Sequence, residues 1–255
     1  MDRVSAIASN FANWHETSLR ALGRATRRTD AMWSCEDGPA IIYLMGISQG
    51  SRDDRERQLS ETLALAERRD GDPIVVADMW DSLGLDEHGF TPSPYGAIND
   101  IFWRPAGSVS GPSNTPDGFI VEEVNDADGL RDYERISIRG FGSEERLSPL
   151  GTFGVHAVGI LNDTRMRPFV GRLDGEPVSG AMSYVSDDVN GVYGVTTPPE
   201  YRRQGFAKAV TRAAVDAAPG LPAWLDPSPM AESMYQRLGF ESIGQYTAWM
   251  RPEAE

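Results

Sequence analysis

Apolar and polar residues alternate from Phe119 to Val124, and a period of two predicts a strand. Over Ala127–Arg139 the period changes, with Leu130, Tyr133, Ile136 and Ile138 spaced as on a helix. Met166–Leu173 and Pro177–Val185 are apolar runs flanking Asp174-Gly175-Glu176, which predicts a hairpin. Asp187–Asn190 reads as a second turn and Gly191–Thr197 as a third strand. Phe206–Ala218 predicts an amphipathic helix with Ala207, Val210, Ala214 and Ala217 or Ala218 on one face, ended by Pro219-Gly220. Pro222–Asp226 follows as a short strand, Glu232–Leu238 as a helix stopped by Gly239, and Gly244–Met250 as a last strand. The order β–α–(α)–β–β–β–α–β–α–β predicts an α/β fold (α+β, mixed sheet) rather than a doubly wound one.

The first part of the chain echoes this ending. It offers a strand (Pro39–Ile47), a helix (Asp53–Arg69), a strand (Pro73–Asp78), a short helical stretch, Gly89-Phe90, and a strand ending Trp103-Arg104-Pro105. The ending of the chain repeats this order through Phe206–Ala218, Pro222–Asp226, Gly239-Phe240 and Met250-Arg251-Pro252. Leu85 stands four residues before Gly89, as Tyr235 stands four before Gly239. Two copies of one architecture are expected. Between them Pro105–Gly118 is rich in Pro, Gly, Ser and Asn with little to bury, and reads as a linker. The expected domains are 1–105 and 118–255, joined by 106–117.

Composition narrows the function. The net charge is −14, split almost evenly as −6 before residue 113 and −8 after. Such a chain is a poor non-specific partner for nucleic acid or an anionic membrane. There is no secretory pattern at the start and no apolar run long enough for a bilayer, so a cytoplasmic location is expected. Cys35 is the single cysteine, no Cys/His cluster has metal spacing, and no metal is expected.

One segment reverses the charge. Between Glu200 and Val215, Arg202, Arg203, Lys208 and Arg212 oppose Glu200 alone, a net +3. Pro198-Pro199 end a strand, a basic loop Arg202-Arg203-Gln204-Gly205 follows, and a long helix opens at Phe206. Glycine permits a close approach of ligand or backbone, and the first N–H groups of a helix have no partners within it. With the helix dipole they attract a phosphate or pyrophosphate. The segment is neither a P-loop nor a dinucleotide-binding glycine motif.

Arg202-Arg203-Gln204-Gly205-Phe206-Ala207 resembles the [RQ]-x-x-G-x-[GA] signature of the GCN5-related N-acetyltransferase (GNAT) superfamily. Val195-Thr-Thr-Pro-Pro-Glu-Tyr resembles the strand that leads into it, and Ser233-Met-Tyr-Gln-Arg-Leu-Gly-Phe240 the later "lYxrlGF" segment. The resemblance covers about residues 117–255. It implies the GNAT acyl-CoA N-acyltransferase fold, in two copies here, and acetyl-CoA as co-substrate. The implied cofactor site is the Arg202, Arg203, Gln204, Gly205, Phe206, Ala207 and Lys208 loop for pyrophosphate, with Val195, Thr196 and Thr197 along the pantetheine arm. Ser228 stands where relatives carry an asparagine that touches the cofactor.

The implied reaction is direct attack of a small-molecule or peptide amine on the thioester. Tyr235 matches the family's general acid. No base is visible in the signature strand, so His156 is the best single candidate, ahead of Glu144, Glu145 and Asp187, and a water chain is equally open. A CoA-binding sensor without turnover is the alternative reading. The first copy departs from the pattern, because Ser48–Asp54 lacks the signature and Leu85 replaces the tyrosine. It is expected to be a degenerate domain that binds no donor and completes the acceptor site or stabilises the fold.

Overall fold

The computed structural model describes residues 2–35, 42–46, 49–68, 73–94, 96–107, 114–142 and 155–251. Ser48, Glu144, Glu145, part of the linker and part of the expected strand Pro39–Ile47 lie outside them. In chain order the elements are α1 (Arg3–Ala21), β1 (Thr26–Arg28), β2 (Met32–Cys35), β3 (Ile42–Gly46), α2 (Arg52–Arg68), β4 (Ile74–Asp78), β5 (Thr91–Pro92) and β6 (Ile98–Arg104). Then come β7 (Phe119–Glu123), α3 (Ala127–Gly140), β8 (Met166–Leu173), β9 (Glu176–Ser186), β10 (Val189–Thr196), α4 (Phe206–Asp216), β11 (Ala223–Leu225), α5 (Glu232–Gln236) and β12 (Glu241–Arg251). The elements expected after the linker are all present, and Val189 and Asn190, read as turn, open β10 instead. The helix α1, for which the sequence pattern carried no expectation, starts at Asp2, whose carboxylate accepts the Ser5 N–H at 3.0 Å. Among the described residues no helix is long and apolar enough to cross a membrane.

The chain divides into two compact units, one of Met1–Ile101 with Ser242–Glu255 and one of Phe102–Glu241. In the first unit the strand order is β1-β2-β3-β4-β12, with β5 also paired to β12. The last strand of the chain runs antiparallel to β4, from Thr247↔Asp78 to Arg251↔Ile74. Helix α1 buries Ile7, Ala8 and Ala12, and Cys35 and Trp33 are core residues of β2. In the second unit the order is β6-β11-β10-β9-β8-β7. The end of the first copy therefore serves the second unit: Phe102, Trp103 and Arg104 pair antiparallel with Leu225, Trp224 and Ala223. Phe102 enters the core formed by Val192, Val210, Ala214, Leu225, Tyr235 and Phe240. Arg104 adds a hydrogen bond from Nε to the Leu238 carbonyl at 2.9 Å.

Helix α4 seats Val210, Ala214 and Val215 on this core, and its first residue, Phe206, stacks on Phe119 at 4.6 Å. Its far end is pinned by polar groups. Asn190 is fully buried, accepts Ser183 Oγ at 2.8 Å, and donates to the Ala214 carbonyl at 2.9 Å. Arg167 grips Glu123 with two hydrogen bonds and donates to the Ala217 carbonyl at 2.6 Å, where a cation suits the helix C-terminus. The opposite end of α4 is thereby held in place at the loop of interest.

The two Gly-Phe pairs have the same local geometry. Gly89 (φ 81°) and Gly239 (φ 87°) are both left-handed. The Phe90 N–H reaches back to the Leu85 carbonyl at 3.1 Å, and the Phe240 N–H to the Tyr235 carbonyl at 3.1 Å. Each is a Schellman-type helix ending, and each phenylalanine is buried just after it.

Candidate active site

The signature strand is irregular where chemistry was expected. Between β10 and β9, Tyr193 pairs with Met182, and the next pair is Thr196 with Gly180. Three steps on β10 thus face two on β9, a β-bulge at Gly194–Val195, with Gly194 at φ 58°. On its other side β10 pairs with β11 only at Asn190↔Ala223 and Gly191↔Trp224. Beyond Gly191 the register of these parallel strands stops, although β10 continues to Thr196. Backbone groups of the bulge therefore have no partner on β11.

Pro199–Tyr201 form a single 3-10 turn after β10. Arg203 (φ 64°) and Gly205 (φ 86°) are left-handed, and α4 starts at Phe206 without any side-chain cap. The leading N–H groups of α4 are thus left for another acceptor. Arg202 is a brace: its Nε donates to the Thr197 carbonyl and its Nη2 to the Gly140 carbonyl, both at 3.0 Å. Its backbone N–H donates to the Pro199 carbonyl at 3.3 Å, so what it can offer a ligand is charge. Glu200 is neutralised by Arg139. Gln204 is exposed. Arg203 and Lys208 form no ion pair among the described residues. A Cβ at Gly205 would lie 2.6 Å from the Asn114 carbonyl oxygen, so the close approach here is by linker backbone.

Tyr235 is 5% exposed, packs edge-on to Phe240 with centroids 6.1 Å apart, and lies in the core beside β11. Burial first, and the Asp226 charge second, push its phenol up, so it carries its proton throughout the physiological range. Ser228 is exposed, and its carbonyl accepts the Ala231 N–H at the start of the α5 turn. Ser179 Oγ donates to the Thr196 carbonyl at 2.8 Å and shares a 2.9 Å hydrogen bond with Thr197 Oγ1, which ties the end of β10 to β9.

His156 is 9% exposed, tilted against Tyr133 at 5.0 Å, and its Nδ1 has no partner among the described residues. Burial lowers its pKa to about 4, so it is neutral at pH 7. The sequence reading missed Glu134, which is 1% exposed on α3. Its Oε1 accepts the N–H groups of Val155 at 2.8 Å and His156 at 3.4 Å, so it positions His156. Its signal was an acid one turn after Leu130 on the apolar side of α3. Asp187, at φ 53° in the β9–β10 hairpin, is at the opposite end of β10 from the bulge.

A pH effect follows from two buried histidines. His15, packed among Phe11, Trp14 and Trp33, has its pKa lowered to about 3 by burial. Both groups are neutral when folded and protonate near pH 6.5 when unfolded, so below pH 6.5 the unfolded state binds more protons. Their contribution is intact above pH 6.5 and is lost as pH falls toward 4. We expect the thermal midpoint to drop between pH 7 and pH 5. His156→Phe, which keeps a ring against Tyr133, should make the drop shallower; an unchanged slope would remove His156 from the account.

The corresponding place in the first unit fills itself. Strands β3 and β4 stay paired over four positions, from Ile42↔Ile74 to Met45↔Ala77. The Asp54 carboxylate accepts the Ser51 N–H at 2.7 Å and Ser51 Oγ at 2.9 Å at the start of α2, and these bonds, the backbone one first, lower its pKa. A Cβ at Gly46 would lie 3.0 Å from Gln58 Oε1 and 3.5 Å from the Trp80 ring. Leu85, in the position of Tyr235, is fully buried.

Comparison with known proteins agrees with this geometry. The model of the acetyltransferase (GNAT) family matches residues 135–240, which span the bulge, the loop, α4 and α5. No curated protein matches the chain. Among solved structures, a GCN5-related N-acetyltransferase from Kribbella flavida shares the fold with a TM-score of 0.71 at 19% identity, over 100% of this chain and 97% of that one. A tandem GNAT protein from the clavulanic acid biosynthesis pathway has a TM-score of 0.60 at 12% identity, covering 99% and 96%. A GCN5-related N-acetyltransferase from Sphaerobacter thermophilus has 0.58 at 14%, covering 88% and 78%. Residues 135–240 thus match the acetyltransferase (GNAT) family, and the chain as a whole has the fold of the GNAT proteins it is similar to.

Proposed function

We propose that the chain transfers an acetyl group from acetyl-CoA to a primary amine, with residues 118–255 as the catalytic domain and 1–105 as a degenerate copy. The observation that carries this reading is the join of a bulged, half-paired β10 to an uncapped, positively charged start of α4. The loop at Arg203–Lys208 suits a pyrophosphate, and the space beside Val195–Thr197 suits an extended arm ending in a thioester. The backbone of the bulge would meet the charge that develops on the thioester oxygen. A neutral amine attacks the carbonyl carbon, the C–S bond breaks, and Tyr235 hands its proton to the departing thiolate. The new amide nitrogen loses a proton to water, directly or through His156, and solvent returns a proton to the Tyr235 phenolate. An available phenol next to an arm of this length favours turnover over a CoA sensor. The acidic surface favours cationic acceptors, whether small amines or peptide N-termini. The self-capped α2 and the fully paired β3 and β4 support a first copy that binds no donor.

Calorimetric titration of the full chain with CoA, and thiol release from acetyl-CoA across polyamines, aminoglycosides, amino acids and peptides, test the reading. Gly205→Val forces a β-branched residue to positive φ and drives its side chain onto the Asn114 carbonyl. CoA affinity should fall at least about 10²-fold as the loop is remodelled. Equal affinity in the folded variant would remove this loop from the donor site.

A further inference from the structure

Helix α3 presents Tyr133 and Gly140 to the sheet two turns apart, and both contacts fall on the end of β10. A Cβ at Gly140 would run into the Thr196 side chain. Tyr133 is 1% exposed and occupies room that two strand glycines leave open. A Cβ at Gly180 would lie 2.9 Å from Tyr133 Cδ2, and a Cβ at Gly194 would lie 2.5 Å from the Tyr133 hydroxyl oxygen. Neither position can carry a side chain while Tyr133 keeps this place. His156 backs the ring from another side. Tyr133 lies outside the stretch matched by the family model.

A bulge leaves one residue without a partner, so neighbouring registers compete unless something excludes them. Moving the bulge by one position would place Tyr193 or Val195 where Gly194 now sits. Either would bring a Cβ against the hydroxyl oxygen. We propose that Tyr133 is a positioning residue for acyl transfer: its hydroxyl admits only Gly194 beneath it, pins the register of the bulge, and so aims the backbone of Val195–Thr197 at the space beside β11. The proposal rests on the acetyltransferase reading above.

The test uses the full chain, with 15N-labelled protein for amide spectra, CoA as titrant, and the most active amine of the panel for turnover. Tyr133→Phe removes the contact and leaves the pyrophosphate loop untouched. It should lower kcat about 10-fold or more, since small misplacements of reacting groups cost this much, with KM for acetyl-CoA within about twofold. Without any ligand, the amide signals of residues 194–197 should move. Gly194→Ala should lose more activity, and adding Tyr133→Phe to it should restore part, because the nearest atom left to the new methyl is then the ring Cζ of residue 133, which in the wild type lies 3.7 Å from a Cβ placed there. Unmoved amides in Tyr133→Phe, an unchanged kcat, or a double variant no better than Gly194→Ala would each overturn the proposal. So would failure of Tyr133→Phe to fold, because the hydroxyl, which also meets the Ser137 side chain one turn along α3, would then be a group the fold requires rather than a positioning one. If wild type acetylates no amine, the acetyltransferase reading fails, while the amide signals and CoA titration still decide the role of Tyr133.

Discussion

Residues 118–255 expressed alone should not fold cooperatively, although they contain the whole stretch that matches the family. The reason is the exchange of terminal strands. The second unit needs Phe102–Arg104 as the neighbour of β11, and the isolated piece lacks it. Removing Phe102 alone opens the core that holds Tyr235, Leu238 and Phe240. Losing a buried phenylalanine costs about 3–5 kcal/mol, a large share of the roughly 5–15 kcal/mol that stabilises a domain. Three backbone pairings and the Arg104–Leu238 hydrogen bond go with it. At the other end, Ser242–Arg251 belongs to the first unit and would be left as an unpaired strand, an aggregation hazard. A fragment starting at Ile98 restores the missing strand and should regain a melting transition. Circular dichroism and thermal melts of the two fragments check this. A cooperative melt of 118–255 within a few degrees of the full chain would show the exchange to be dispensable.

Local order was legible from residue to residue, and partnership was not. The period-two and helical patterns located the strands and helices after the linker because each side-chain pattern reports which face of its own element is buried. The same patterns carry no label for the neighbouring strand, so nothing in Gly244–Met250 marked it as the partner of β4. Helix α1 escaped for a different reason: much of its buried face is alanine, with Asn10 and His15 besides, and small residues make a weak stripe. The anion loop was readable since glycine, charge and helix start coincide there. The duty of its arginine was not, because a guanidinium donates equally well to phosphate or carbonyl, and Arg202 spends its hydrogen bonds on Thr197 and Gly140. Gly180 and Gly194 lie within expected strands, and no strand pattern reveals that Tyr133 fills the room beside them.

Tyr235→Phe should lower turnover on the order of 10²-fold or more while leaving CoA affinity and stability nearly unchanged. The hydroxyl contributes little to packing, since the ring makes the contact with Phe240 and no hydrogen bond ties the hydroxyl to a neighbour among the described residues. Phenylalanine therefore keeps the core and deletes only the proton. In the proposed reaction, the thiolate departs beside a group whose burial and whose neighbour Asp226 hold that proton firmly in the resting state. A phenol so placed is always loaded, so rate should show no loss of acid function as pH rises through 9. Transfer becomes favourable only as negative charge grows on sulfur, and general acid catalysis of this kind contributes about 10²–10⁴-fold. In Tyr235→Phe, water must protonate the thiolate, and the loss should appear in kcat rather than in KM for acetyl-CoA. A more acidic thiol leaving group needs less help, so an acyl donor with such a thiol should narrow the gap between wild type and variant. Turnover equal to wild type, with intact CoA binding, would make Tyr235 a packing residue and leave protonation of the thiolate to solvent.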